Sequence, residues 1–297
     1  MVPALFCEET LRKTSEQQIE RGRPIWILDA LGNLLSIPQK ILLLNAKVDN
    51  HRISPQTEQT LKKFLDTYPD KLGDVKVRLN QWTPVGDMKR LTTNHRIEWY
   101  FRIFPGIPIT LFSSLTGRLL GGDHYNPYTN TIHLFSDDPA IALHEAGHAK
   151  DFAESAEPGL YAVGRILPPI TLHQEQAASE TAIEYLEEKK DRKGELHAYS
   201  TLYPAFGTYG GEYFGLPYGN YIGAAAGHIL GFRERNERAL GYKALDEARV
   251  GGSMKKDELP NLSSTTEKDP AIFFSKPSGR INRKRNNIAE LDVDFVL

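Results

Sequence analysis

The sequence has almost no cysteine and no strong charge of either sign. Cys7 is the only cysteine among 297 residues, which excludes an internal disulfide and a cysteine-based zinc cluster. The 36 basic and 38 acidic residues nearly cancel, and a net charge of −2 gives no general attraction to nucleic acid or acidic lipid. A bound metal ion would therefore have to be held by His, Asp or Glu.

The chain is long enough to bury one sizeable core, and its composition divides it into three parts. We predict a polar N-terminal arm over 1–24, one folded domain over 25–250, and a largely disordered polar tail over 251–297. The tail has a basic cluster without interleaved aromatic residues, so no nucleic-acid partner is predicted. No secretory signal is readable in the short apolar start, which leaves the cytoplasm and a membrane as alternative locations.

The middle of the chain shows a clear order of predicted elements. Thr131–Phe135 is an apolar, β-branched stretch after a turn-rich segment, and it predicts a strand. A capping aspartate followed by proline opens a helix over about 139–155. The proline pair at 168–169 opens a second helix that extends to about 190, with Thr171 and Gln174 at the spacing of a capping box.

The first of these helices contains the strongest chemical signal in the chain. His144, Glu145 and His148 form the pattern H-E-x-x-H. Residues four apart share one face of a helix, so both imidazoles can bind one ion, and the glutamate can accept a proton from a metal-bound water. The alternative is a pair of hydrogen-bonded core histidines, because both lie on the core-facing side of the predicted helix.

A third ligand is expected from the second helix. Glu175 lies in the centre of the apolar stripe of that helix, where a carboxylate is costly unless it is paired or bound to metal. The alternative for Glu175 is a salt bridge to an arginine or lysine, and Glu180 is the substitute ligand. Asp151 lies one turn beyond His148, where it is either a carboxylate that orients an imidazole or a simple helix-end charge.

These residues resemble the gluzincin metallopeptidases. The pattern His144-Glu145-x-x-His148 followed by Glu175-x-x-Ala178 is similar to that of the CAAX prenyl endopeptidases and their bacterial membrane relatives. The phrase HEAGHAKDF also resembles uncharacterised bacterial proteins. Two positions depart from the pattern, since Ser179 stands where those families have Asp and Lys150 stands where an uncharged residue is usual. Ser179 is nevertheless, with Asp151, a candidate to orient an imidazole.

The resemblance implies an α+β, zincin-like fold with a small mixed sheet, an active-site helix, a glutamate helix and a Gly-rich helical segment. It implies Zn²⁺ held by His144, His148 and Glu175, with Glu145 as general base. It also implies that the strand Thr131–Phe135 lies at the edge of the cleft and pairs with an extended peptide. The expected function is zinc-dependent hydrolysis of a peptide or protein. The alternatives are a non-catalytic zinc-binding scaffold that contacts a membrane or a protein, and a zinc amidase acting on a non-peptide substrate.

A further hydrogen-bond donor should stabilise the oxyanion that forms during such a reaction. The candidates lie C-terminal of the ligands, namely His197, Tyr199, Tyr203, Tyr209 and His228. Simple aromatic packing is the alternative for most of them.

Glycine recurs every four residues from 207 to 231, and the stretch 213–232 carries no formal charge. Small residues at this spacing let helices approach closely, and twenty residues are about the length that spans a bilayer. Pro217 and several polar residues oppose a membrane helix. The segment therefore predicts either membrane contact or a tightly packed soluble helix that lines the cleft.

Overall fold

The computed structural model describes residues 15–213, 215 and 217–250. The predicted tail over 251–297 and the first fourteen residues of the predicted arm lie outside these residues. The helices are α1 (Ser15–Gln18), α2 (Trp26–Leu35), α3 (Ile37–Leu42), α4 (Pro55–Thr67), α5 (Pro69–Leu72), α6 (Pro84–Thr93), α7 (Trp99–Phe101), α8 (Ile107–Thr116), α9 (Pro139–Glu154), α10 (Pro158–Gly164), α11 (Pro168–Glu188), α12 (Arg192–Tyr213) and α13 (Gly219–Val250). The strands are β1 (Ile19–Arg21), β2 (Lys76–Leu79), β3 (His124–Asn126) and β4 (Thr131–Leu134). A kink with extended backbone at Phe104 precedes α8, and a wider π-helical turn at Gly117–Gly121 follows it.

A small mixed sheet with the strand order β1-β2-β4-β3 agrees with an α+β class. β1, β2 and β4 are parallel, and β3 is antiparallel to β4. β4 confirms the predicted strand, but it pairs on both sides, so the expectation that it pairs with an extended peptide at the edge of a cleft is wrong. The edge strand on that side is β3.

The predicted arm is wrong over its C-terminal part. Ile19 pairs with Val77 and Arg21 with Leu79, so β1 is an integral strand of the sheet. The side chain of Gln18 also donates to the backbone carbonyl of Val75 at 2.9 Å.

The two faces of the sheet differ in polarity because side chains alternate along a strand. Val77, Ile132 and Tyr125 lie in one row, and this apolar face packs on α9, where the rings of Tyr125 and Phe152 are 5.8 Å apart. The opposite face carries a row of Arg78, His133 and His124.

This polar row is buried beneath α6 and α8. Arg78 pairs with Asp87 of α6 at 3.1 Å, and Ser114 of α8 donates to the same carboxylate at 2.9 Å. The helix α8 is therefore joined to the sheet through polar contacts.

The glycine repeat is a packing seam between α12 and α13. A β-carbon at Gly207 would collide with the backbone of Gly223, and one at Gly211 would collide with the backbone of Gly219. Close approach of two helices therefore requires glycine there. The segment 213–232 is not one helix, because α12 ends at Tyr213 and α13 begins at Gly219.

Candidate metal centre

Two helices with strong N-terminal signals place the candidate ligands. The side chain of Asp138 accepts from the backbone N–H of Ala140 at 2.9 Å, and Pro139 is the first residue of α9. Proline also opens α11, but the predicted capping box is wrong there. Leu167 occupies the N-cap without a side-chain hydrogen bond, and the Thr171 hydroxyl donates to the carbonyl of Arg165 at 2.8 Å.

Gly147 sets the distance between α9 and α11. A β-carbon at this position would lie 2.6 Å from the carbonyl oxygen of Ala178 and 3.0 Å from its Cα. The two backbones are therefore in direct contact one residue before His148, which brings both imidazoles opposite Glu175.

The three predicted ligands meet in space. The Nε2 atoms of His144 and His148 are 3.1 Å apart. His144 Nε2 lies 3.1 Å from Glu175 Oε2, and His148 Nε2 lies 3.2 Å from Glu175 Oε1. Two ligand atoms at about 2.0–2.1 Å from a tetrahedral ion are about 3.3 Å apart, which is close to the separation of the two Nε2 atoms. The two imidazoles face different oxygens of the Glu175 carboxylate, and one ligand atom from each of the three residues lies within 4.8 Å of the other two.

Protonation in the cluster favours metal binding by two of the three groups. Burial opposes ionisation of Glu175, yet its contacts with the two imidazoles hold the pKa of its carboxyl well below its usual range. Burial lowers the pKa of His148 to about 4, so this ring is neutral at pH 7. Burial also lowers the pKa of His144, but the hydrogen bond and charge of Glu175 outweigh it and raise that pKa overall.

Glu145 is buried beside the ligands. Its Oε2 atom makes no hydrogen bond to any described residue, although buried carboxylate oxygens are nearly always paired. Burial raises the pKa of Glu145 to about 7; the charge of Glu175 raises it too, and His144 opposes them. A carboxyl with these properties can both accept and return a proton near neutral pH.

Arg165, which sequence reasoning missed, follows α10 and faces the same cluster. Its Nη2 donates to Glu175 Oε1 at 3.3 Å, so the salt-bridge alternative for Glu175 is realised as well as the ligand geometry. The sequence predicted only that Glu175 could pair with an arginine or lysine. It did not identify Arg165, because this residue lies between two helices, where helical periodicity gives no information.

Arg165 also constrains how His148 can bind a metal. The Nη1 atom of Arg165 lies 3.2 Å from His148 Nδ1, and arginine can only donate, so Nδ1 accepts. A neutral imidazole that binds a metal through Nε2 carries its proton on Nδ1. Metal binding and the Arg165–His148 hydrogen bond are therefore mutually exclusive.

The residues predicted to orient the imidazoles have different outcomes. The Ser179 hydroxyl oxygen lies 3.1 Å from His144 Nδ1, which is a hydrogen-bond distance. A hydrogen bond at this nitrogen orients the imidazole ring. Asp151 instead lies beside Tyr161, where burial and the charge of Asp151 raise the pKa of the tyrosine hydroxyl. Glu180, the substitute ligand, accepts a hydrogen bond from Gln176 at 2.9 Å and is outside the ligand group.

Among the predicted oxyanion donors, Tyr209 is the one whose pKa is raised by the charges of this cluster. The charge of Glu175 is the largest cause of the raised pKa of its hydroxyl, and Glu145 contributes as well. Tyr209 belongs to α12 and is 41% exposed, so a bound substrate could reach it.

The other four candidates make contacts of their own. His197 pairs with Asp138 Oδ2 at 2.8 Å, and His228 donates to the carbonyl of Leu42 at 2.9 Å. The rings of Tyr199 and Tyr203 pack against each other at 5.6 Å. These contacts are those expected of packing and capping residues.

Lys150, the other departure from the family pattern, pairs with Glu154 at 3.2 Å and lies over the ring of Tyr68. A charge is therefore accommodated there away from the ligands.

Comparisons of the chain with models of known families, with characterised proteins and with solved structures found no match.

Proposed function

We propose that this chain is a zinc-dependent peptidase with a zincin-like arrangement of α9 and α11. The observation that carries the proposal is the cluster of His144, His148 and Glu175, each of which offers one ligand atom within 4.8 Å of the other two. Structural metal sites usually supply a fourth protein ligand, whereas three protein ligands are typical of catalytic zinc. The described residues contain one such group.

Zinc, when bound, supplies a Lewis acid that acidifies water and polarises a carbonyl group. Glu145 takes the proton from the attacking water and passes it to the leaving amine. The unpaired Oε2 of its buried carboxyl supports this role. The hydroxyl of Tyr209 donates to the substrate oxygen that gains negative charge.

One observation favours a non-catalytic second candidate. Arg165 already neutralises Glu175, so the buried carboxylate does not require a metal for charge balance. In that case the cluster is a hydrogen-bonded junction of α9, α10 and α11. A zinc amidase with a non-peptide substrate would use the same residues and differ only in the bond that is hydrolysed.

Two variants separate these candidates. Zinc per chain is measured by elemental analysis, and hydrolysis is measured on a mixture of fluorogenic peptides. We expect about one zinc in the parent, an unchanged zinc content with about 10²–10⁴-fold less activity in Glu145→Gln, and loss of zinc in His148→Ala. Glu180→Gln is the matched control, because this glutamate of α11 contacts Gln176 and should change neither quantity.

Equal zinc content in the parent and His148→Ala would contradict the metal site. Zinc binding with full activity in Glu145→Gln would contradict the role of the base. Activity on N-acylated amino sugars or other non-peptide amides, with none on peptides, would identify the amidase.

A further inference from the structure

Two stretches of the chain are almost free of charge. Residues 24–39 and 103–122 contain one charged residue each, Asp29 and Arg118. These two side chains form an ion pair, with Arg118 Nε 2.9 Å from Asp29 Oδ1, and the arginine is buried. The two stretches therefore present no unpaired charge to their surroundings.

The same two stretches lie side by side. α2 packs on the turn after α8, since a β-carbon at Gly32 would lie 2.7 Å from the carbonyl oxygen of Arg118. Large apolar side chains from both are exposed. We call the following residues the apolar surface: Trp26, Leu34, Phe104, Phe112, Leu115 and Leu120. Large exposed apolar side chains on neighbouring elements mark a site of contact with a membrane or another protein.

The opposite face of α8 is fixed to the protein by polar groups. Thr110 and Ser114 are buried, and the side chain of Asn126 donates to the Thr110 hydroxyl at 3.4 Å. The stretch Trp99–Leu120 has the length and a mean hydropathy of 1.3 that would suit a membrane span, but its backbone is kinked at Phe104 and only 28% of its most apolar part is buried. A helix held to the protein on its polar side and apolar on its outer side is suited to lie in a bilayer interface instead of crossing it.

The tryptophans indicate lipid as the partner. Trp26 lies in the first stretch, Trp99 lies just before the second, and Trp82 lies against the second. They are the three tryptophans of the chain, and Trp26, Trp99 and Trp82 are 77%, 65% and 44% exposed, respectively. Trp82 donates its indole N–H to the carbonyl of Ser114, so it lies directly beside α8. Tryptophan is enriched at the membrane–water interface. Protein interfaces usually carry about one hydrogen bond per 100–200 Å², and the charge-free apolar surface offers few polar groups for that purpose.

We propose that the apolar surface docks on a lipid bilayer, with α2 and α8 lying in the interface. The driving force is burial of apolar side chains, so docking needs no anionic lipid and is insensitive to salt. This inference does not rest on the metal centre or on hydrolysis.

The test uses the full chain with vesicles of phosphatidylcholine at 0.1 and 0.5 M NaCl. We expect co-sedimentation at both salt concentrations, a blue shift of tryptophan emission, and quenching by brominated phosphatidylcholine. The double variant Phe112→Asp/Leu115→Asp should bind at least about tenfold more weakly. The double variant Ile229→Asp/Phe232→Asp is the matched control, because it changes two exposed apolar residues of α13 and should bind like the parent.

Several results would overturn the proposal. They are equal loss in both double variants, binding that disappears at 0.5 M NaCl, and absence of quenching in the parent. A parent that stays in the supernatant and forms a dimer, seen by light scattering and abolished by Phe112→Asp/Leu115→Asp, would assign the surface to a second copy of the chain. Circular dichroism reports whether each variant folds, and quenching of the parent decides the question if one does not.

Discussion

The close approach at Gly147 gives a direct test of how the ligands are brought together. In Gly147→Ala the added methyl group would lie 2.6 Å from the carbonyl oxygen of Ala178. Comfortable contacts of carbon are about 3.5 Å, so α9 and α11 must separate by several tenths of an ångström to about 1 Å at this point. Metal–ligand distances tolerate only about 0.2 Å.

The variant should therefore lose metal affinity without unfolding. Overpacking costs about 1–3 kcal/mol, and the better helix propensity of alanine returns up to about 1 kcal/mol. A net loss of about 1–2 kcal/mol lowers Tm by a few degrees in a chain of this size. Zinc affinity should fall at least about tenfold, measured by competition with a chromogenic chelator.

Gly223→Ala is the matched control. Its methyl group would collide with the backbone of Gly207 in the seam between α12 and α13, away from the ligands. We expect a lower Tm, measured by circular dichroism, with unchanged zinc affinity. Zinc affinity of Gly147→Ala within about threefold of the parent would refute the inference that this glycine sets the ligand geometry.

Three further changes test other parts of the structure. Phe64→Ala removes a fully buried ring of α4 that packs on Tyr185 of α11, and it should lower the free energy of unfolding, measured in urea, by about 3–5 kcal/mol. An effect below about 1 kcal/mol would contradict its place in the core. Ser179→Ala should weaken zinc binding by about tenfold, and Ser179→Asp should restore it, since either side chain can accept from His144 Nδ1–H. Burial raises the pKa of Asp49 from 3.8 to about 7, and the charge of Asp123 adds to this effect. The stability that the protonated Asp49 carboxyl contributes is therefore full below about pH 4 and is lost as pH rises through 7. Asp49→Asn should therefore reduce the fall in stability between pH 5 and pH 8, and an unchanged difference between urea midpoints at these two values would contradict the raised pKa.

The local signals in the sequence predicted the elements that carry the ligands. Asp138 and Pro139 begin α9, and the strand before it forms at Thr131–Leu134. Spacing within a helix then places His144 and His148 on one face. The position of Glu175 followed from the cost of burying a carboxylate, which is a local property of an amphipathic helix.

Features that depend on distant parts of the chain were not predictable in this way. β1 has three residues in a polar segment, and it becomes a strand because β2, more than fifty residues later, offers a partner. Arg165 reaches Glu175 because α10 turns back on α9. The apolar surface has the composition of a buried helix, and only the placement of α2 and α8 on the outside of the protein shows that it faces outward.

The buried polar row of Arg78, His133 and His124, with Asp87 of α6 paired to it, has a consequence for how α8 is held. Separation of α8 from the sheet would wet mainly ionic and hydroxyl groups, which water solvates well. Separation of α9 would instead expose apolar residues such as Tyr125 and Ile132. The attachment of the outer helix α8 therefore depends on paired polar groups, whereas the attachment of the ligand helix α9 depends on buried apolar area.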